Sequence, residues 1–178
     1  MAQDLYSVRI EHDVAVPMRD GVSLSADLYL PEIHDRFPVV LHRTPYDRTN
    51  RRRLGLVDPV FLAQNGYAVV IQDVRGRHGS PGIFEPFQQE LSDGYDTIVW
   101  CTEQDWSNGK VGTNGASYVG ATQWLAACTQ PQGLTCIVPA VTSDDYYEGW
   151  TYQGGAFQLG FATSWSLNGL TLENLHAI

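Results

Sequence analysis

The stretch Asn114-Gly115-Ala116-Ser117-Tyr118-Val119-Gly120 constrains the chain more than any other. Upstream of it, Val111-Gly112-Thr113-Asn114 is strand-like. Downstream, Tyr118 to Cys128 mixes Ala, Leu, Trp and Gln without proline, which suits a helix. Strand, tight turn and helix therefore meet at Ser117. Such an elbow lifts a serine hydroxyl clear of a sheet and aims the first N–H groups of the helix at whatever the hydroxyl attacks. The general motif has its second glycine two residues after the serine, whereas here Val119 holds that place and Gly120 follows. Taken alone, the stretch reads equally well as a nucleophile or as a glycine-rich connection with an incidental serine.

The rest of the chain supplies a sheet for this elbow. Val8, Ile10, His12, Val14 and Val16 alternate with polar neighbours, and Val22, Leu24, Ala26, Leu28 and Leu30 do so again after Pro17-Met18-Arg19-Asp20-Gly21. Period two, twice, predicts an antiparallel hairpin with one buried face and His12 among its inward residues. Phe37 to Leu41 and Tyr67 to Gln72 are short apolar runs without alternation, as in strands buried on both faces of a parallel sheet. Asp58-Pro59, a following apolar segment and Gly66 supply the cap, first-turn proline and stop of a helix between them. Leu91, Tyr95, Ile98 and Val99 recur at helical spacing and predict a helix over 88–103. Leu134 to Val138 follows as another buried strand. This rhythm predicts a mostly parallel, doubly wound α/β sheet opened by an antiparallel hairpin.

Ligands of such sheets lie at the carboxyl ends of the strands. Tyr46, in Arg43-Thr44-Pro45-Tyr46-Asp47, falls there, although a tyrosine after proline also serves simply as a turn residue. Asp73 and Arg75, in the long loop Asp73 to Gly82, read as ion-paired groups that hold the loop, and no spacing brings His78 to Ser117. Eleven basic against twenty acidic residues leave a formal charge of −9, a field that repels nucleic acid and anionic membrane. Arg48, Arg51, Arg52 and Arg53 read as a solvated loop within that acidic chain. Cys101, Cys128 and Cys136 lie in predicted helices or strands without ligand spacing and are expected to be buried thiols. The chain shows no basic-plus-apolar leader and no apolar stretch of spanning length, so cytoplasmic residence is expected. Past Ala140, aromatics and glycines gather, either as pocket walls or as the core of a further layer.

Four motifs occur together and in order: Met18-Arg19-Asp20-Gly21-Val22 with Leu28-Tyr29, Arg43-Thr44-Pro45-Tyr46-Asp47, Gln72-Asp73-Val74-Arg75-Gly76 with Ser80 and Gly82, and Gly115-Ala116-Ser117-Tyr118-Val119-Gly120. In this the chain resembles the cocaine esterase-like branch of the α/β-hydrolases, which includes X-Pro dipeptidyl peptidases, α-amino-acid ester hydrolases and glutaryl acylase-like enzymes. The shifted glycine is that family's own form of the elbow. The resemblance implies the N-terminal part of an α/β-hydrolase catalytic domain over 1–143, and the start of a helical cap and substrate pocket over 144–178. It implies serine acyl transfer, in which Ser117 attacks a small ester or amide while the Tyr46 hydroxyl and the Tyr118 N–H form the oxyanion hole. It also implies that Trp150 and Trp165 line the acyl pocket.

Members of the family are longer. Their triad Asp and His follow the cap, in the order serine, acid, histidine, and a C-terminal β domain comes last. None of His12, His34, His42, His78 and His176 occupies the place of the base. The resemblance therefore implies an acid and a histidine from outside residues 1–178, in the same or another chain, and a nearly inert isolated segment. The chemistry needs no metal or cofactor. Two alternatives stay open: Asp144, Asp145 and Glu148 serving an α-amino group, as in an α-amino-acid ester hydrolase, acylase or X-Pro dipeptidyl peptidase, or a non-catalytic α/β binding module or inactive fragment that keeps the elbow as scaffold.

Overall fold

A computed structural model of the chain describes residues 5–50 and 58–171. Arg51, Arg52, Arg53 and His176 lie outside them. Tertiary contacts divide the chain into two units, Met1–Ala140 and Val141–Ile178.

In the first unit the alternating segments become β1 (Val8–Pro17) and β2 (Ser23–Pro31). The apolar runs become β3 (Phe37–Thr44), β4 (Ala68–Asp73) and β6 (Leu134–Ala140), the last of them half-buried to exposed and not the buried strand expected, and the strand-like segment before the elbow becomes β5 (Ser107–Ala116). They form one sheet in the order β1-β2-β4-β3-β5-β6. The last four are parallel, and β2 joins β4 antiparallel with β1 outside it. Helices α1 (Pro59–Gln64), α2 (Glu90–Glu103) and α3 (Tyr118–Cys128) connect the parallel strands in turn. Asp58 caps α1 by accepting from the Val60 and Phe61 N–H groups, with Pro59 in the first turn. Because successive side chains alternate, Tyr29, Val40, Val69 and Ile71 pack with Ala63 and Leu62 of α1. Leu28, Leu30, Val39, Leu41 and Val70 instead join Ile98, Cys101 and Ala126 beneath α2 and α3. Helices thus cover both faces, the expected α/β arrangement.

The opening hairpin departs from its alternation. β2 lies inside the sheet and is buried on both faces, not one. In β1 one extra residue sits between Glu11, opposite Leu28, and Val14, opposite Ala26, with Asp13 at φ 57°. A bulge of one residue reverses which face each side chain takes. Val8 therefore packs on the α1 side, and Val14 and Val16 on the other. His12 emerges exposed rather than inward, with Nδ1 2.9 Å from Asp27 Oδ2. Among the cysteines only Cys101 is buried, and burial pushes its thiol pKa well up. Cys136 is exposed, because β6 is the outer strand of the sheet among the described residues, and Cys128, the last residue of α3, is exposed as well. Val138 on the same strand is 58% exposed.

Arg48 corrects the solvated-loop reading. It is buried, with Nε donating to Asp27 Oδ1 at 2.9 Å, Nη1 donating to Asp73 and Nη2 to Asp13. Its own N–H donates to Asp73 Oδ1 at 2.8 Å. One guanidinium thus joins the β1 bulge, β2 and the end of β4. Burial opposes ionisation of Asp27, but hydrogen bonds from His12 and Arg48 outweigh it and hold the carboxyl below its ordinary value. Asp73 and Arg75 are ion-paired as expected, though not to each other: Arg75 grips Asp93 through two bonds of 2.9 and 2.7 Å and reaches Asp20.

In the second unit, β7 (Tyr152–Gln153) and β8 (Ala156–Phe157) pair across Gly154-Gly155, and α4 (Leu159–Ser164) runs into a π-helical segment, Trp165–Thr171. Tyr147 stacks on Tyr152 at 4.5 Å. None of the described residues of this unit is fully buried. Among the described residues no helix is long and apolar enough to cross a membrane.

Replacing Arg48 by methionine strands two buried carboxylates, so urea denaturation should show a loss of about 3–5 kcal/mol. Arg48→Lys should recover little of it, since one ammonium cannot replace a three-way fork. Wild-type stability in either variant would contradict this role.

Candidate active site

Strand β5 ends at Ala116 and α3 begins at Tyr118, so a single residue must turn the chain. Ser117 does so at φ 59°, ψ −125°, a region that costs a non-glycine residue ~1–3 kcal/mol. Its surroundings hold it there. The Ser117 N–H donates to Ala140 O of β6 at 2.9 Å, and its carbonyl accepts from Gly120 and Ala121 at 2.9 and 3.0 Å. Gly115 sits at φ 140°, and a Cβ there would fall 2.1 Å from Val119 Cγ1, which explains the glycine two residues before the serine. Gln123, buried in α3, donates to Gly115 O at 3.1 Å and Val119 O at 3.0 Å, and accepts from Thr113 Oγ1 and the Val138 N–H. It ties β5, the elbow and β6 together. The Tyr118 N–H belongs to the first turn of α3, whose N–H groups a helix cannot satisfy from within.

Strands β3 and β5 are parallel neighbours, Leu41 opposite Thr113, so the Tyr46 loop and the elbow leave the sheet at the same end. Tyr46 is half-buried, and its N–H donates to Thr44 Oγ1 at 3.0 Å. The preceding carbonyl, Pro45 O, accepts from Arg77 Nε at 2.9 Å and from the His78 ring at 3.2 Å. His78 thereby supports the Tyr46 loop. Beneath the elbow lies His42, also buried, with Nδ1 3.1 Å from Asn114 Oδ1. Burial lowers its pKa. The Tyr118 side chain is fully buried: its hydroxyl donates to Glu90 Oε1 at 2.9 Å and accepts from the Phe87 N–H at 2.9 Å.

Of the residues singled out in the sequence, Ser117 and Tyr118 form the elbow and Tyr46 shares its end of the sheet. Trp150 and Trp165 belong to the second unit. Trp150 meets Tyr146 and Phe161 edge-on at 5.7 and 6.0 Å, and Trp165 packs against Gly169. Glu90 and Gln123 were not singled out by sequence reasoning, and Arg43 and His42 were named there without a structural role; the visible signal for Arg43 and His42 is polarity inside the otherwise apolar β3. Among the described residues no three His, Cys, Asp or Glu side chains gather to hold a metal ion.

Comparison with known proteins adds the following. Residues 20–178 match the family model of X-Pro dipeptidyl-peptidase (S15 family). The chain is 42% identical over 169 residues to cocaine esterase of Rhodococcus sp. (strain MB1 Bresler), covering 93% of this chain and 29% of that protein. A CocE/NonD family hydrolase from Staphylococcus aureus superposes with a TM-score of 0.85 at 32% identity, over 94% of this chain and 34% of the other. An α-amino acid ester hydrolase superposes with a TM-score of 0.74 at 33% identity, over 92% and 30%. The chain thus spans about a third of the length of these relatives.

Gly115→Ala adds both a forbidden φ and the clash with Val119, so chemical denaturation should show a loss above about 2 kcal/mol. An unchanged midpoint would contradict the packing. His42, with its lowered pKa, refuses a proton that the unfolded chain accepts below its ordinary value of about 6.5. Its contribution to stability is therefore full above that pH and declines as pH falls below it. His42→Gln should flatten that part of the stability–pH curve, and an unaltered slope would contradict the assignment.

Proposed function

The chain belongs to the X-Pro dipeptidyl-peptidase (S15) family, and from that premise we propose that Ser117 is the nucleophile of a serine hydrolase that cleaves small esters or amides through an acyl-enzyme. The observation that carries this reading is the Ser117 backbone at φ 59°, ψ −125°. A loop that merely joined a strand to a helix would have no use for that strain, whereas an exposed nucleophile requires it.

In this reaction Ser117 Oγ bonds to the substrate carbonyl carbon as its proton passes to a histidine. The carbonyl oxygen becomes an oxyanion, which accepts from the Tyr46 hydroxyl and the Tyr118 N–H, each worth roughly 3 kcal/mol to the transition state. The histidine then gives the proton to the departing alcohol or amine, leaving Ser117 acylated. Water, deprotonated by the same histidine, attacks the acyl carbon, and as the acid leaves the histidine returns that proton to Ser117 Oγ. The histidine and its acid partner come from outside residues 1–178, with the cap and β domain of the remaining hydrolase. Two facts support that assignment: the relatives are about three times as long, and the rings of His12, His42 and His78 are engaged with Asp27, Asn114 and Pro45.

The family resemblance assigns Trp150 and Trp165 to the acyl pocket, which favours a bulky or aromatic acyl group. An α-amino group finds less support here. Asp145 Oδ1 accepts from the Tyr147 and Glu148 N–H groups at 2.8 and 3.0 Å, and Glu148 Oε1 accepts from the Gly154 N–H at 2.8 Å, so two of the three carboxylates, Asp144 being the third, are engaged within their own turns. The ester or amide reading therefore ranks above the aminopeptidase-like one.

With the acid- and histidine-bearing segment present, Ser117→Ala should abolish hydrolysis of an aryl ester. Tyr46→Phe should lower kcat by about 10²–10³ with KM within a few-fold. Steady-state kinetics on both variants checks this, and undiminished turnover by Ser117→Ala would sink the nucleophile assignment.

A further inference from the structure

The two proposed oxyanion donors sit on separate segments, one after β3 and one at the elbow. Both segments run into one buried carboxylate. Glu90, the first residue of α2, is 3% exposed, and its oxygens are shared out: Oε1 accepts from the Tyr118 hydroxyl at 2.9 Å, and Oε2 accepts from Arg43 Nη1 at 2.7 Å. Arg43 is the penultimate residue of β3, three residues before Tyr46, and is itself buried. Its Nε donates to Gln72 Oε1 at 2.7 Å, which also accepts from Thr97 Oγ1 at 3.0 Å. The Tyr118 ring stacks on Phe87 at 4.8 Å. Burial, and next to it the Glu90 charge, raise the pKa of the phenol, so it remains a donor. Room for this assembly comes from Gly94: a Cβ there would lie 2.6 Å from Ala126 Cβ and 3.3 Å from Arg43 Nη1.

A buried ion pair is poor evidence for stability, because packed apolar residues often replace one at no cost. Its value lies in fixing geometry. We propose that Glu90, Arg43 and the Tyr118 phenol form a clamp that sets the separation between the Tyr46 hydroxyl and the Tyr118 N–H. The proposal rests on the oxyanion roles given above. Glu90 and Arg43 are positioning residues, acting through the donors and not on the substrate. The leverage is large, since a misplacement of about 1 Å in an active site costs about 10²-fold in rate.

The test uses the assembled hydrolase, with its acid and histidine present. Tyr118→Phe keeps the ring and the peptide N–H but removes the bond to Glu90, and Glu90→Gln is measured beside it. Each should lower kcat about 10–100-fold with KM within about twofold. Each should weaken an arylboronic acid, which mimics the tetrahedral adduct, by a similar factor. In a Tyr46→Phe background the Tyr118→Phe loss should shrink to under about threefold, because the hydroxyl being positioned is already gone. Wild-type kcat in Tyr118→Phe, whatever its melting temperature, overturns the clamp. So does a loss of full size in the Tyr46→Phe background. If Glu90→Gln does not fold, Tyr118→Phe decides alone. Ser117→Ala serves as the control: wild-type hydrolysis by it overturns the nucleophile reading, and the clamp with it, whereas its inactivity beside a fully active Tyr118→Phe overturns the clamp alone.

Discussion

Ser117 occupies a backbone conformation that a serine would not adopt unaided, and much of the first unit is arranged to hold it there. The strain of ~1–3 kcal/mol is small beside what surrounds it. Ala140 on β6 takes the serine N–H, and Gln123 donates to the Gly115 and Val119 carbonyls on either side of the turn. A buried hydrogen bond contributes about 0.5–1.5 kcal/mol net, so the two from Gln123 offset a comparable amount. The elbow is therefore a joint property of β5, α3 and β6. That makes the sheet a requirement of the site and not only its support.

What the sequence made legible follows from strong periodic signals. Helix α3 spans Tyr118 to Cys128 as the composition predicts, because this stretch holds Ala, Leu and Gln and has no proline to break it. Asp58-Pro59 announces α1 through capping chemistry that needs no tertiary context. The unbroken apolar runs of β3 and β4 declare burial on both faces, and the structure provides a helix layer on each side. The family's motifs likewise led to Ser117, Tyr46 and Tyr118 together.

What stayed hidden depends on long-range partners. The even-numbered alternation from Val8 to Val16 conceals a change of face at the Asp13 bulge, since one extra residue restores the same parity on the opposite side. Arg48 reads as a surface charge until Asp27, Asp73 and Asp13 converge on it from three places in the sheet. Glu90 begins a helix, where an acidic residue is ordinary, and nothing local says that Tyr118 and Arg43 will divide its two oxygens. Gln123 has the same anonymity inside an Ala- and Leu-rich helix. Arg48 and Glu90 gain their roles from partners 21 to 47 residues away, and Gln123 bonds Val138, 15 residues on in another strand, which no local pattern encodes.

In the proposed reaction Ser117 becomes a reactive nucleophile once an acid and a histidine complete the site. The most direct measurement is intact mass of the assembled protein before and after exposure to a serine-directed fluorophosphonate, with peptide mapping of any adduct. One phosphonyl group on Ser117, absent from the Ser117→Ala variant, is the predicted result. An assembled protein that hydrolyses esters yet carries the adduct elsewhere, or none at all, would contradict it.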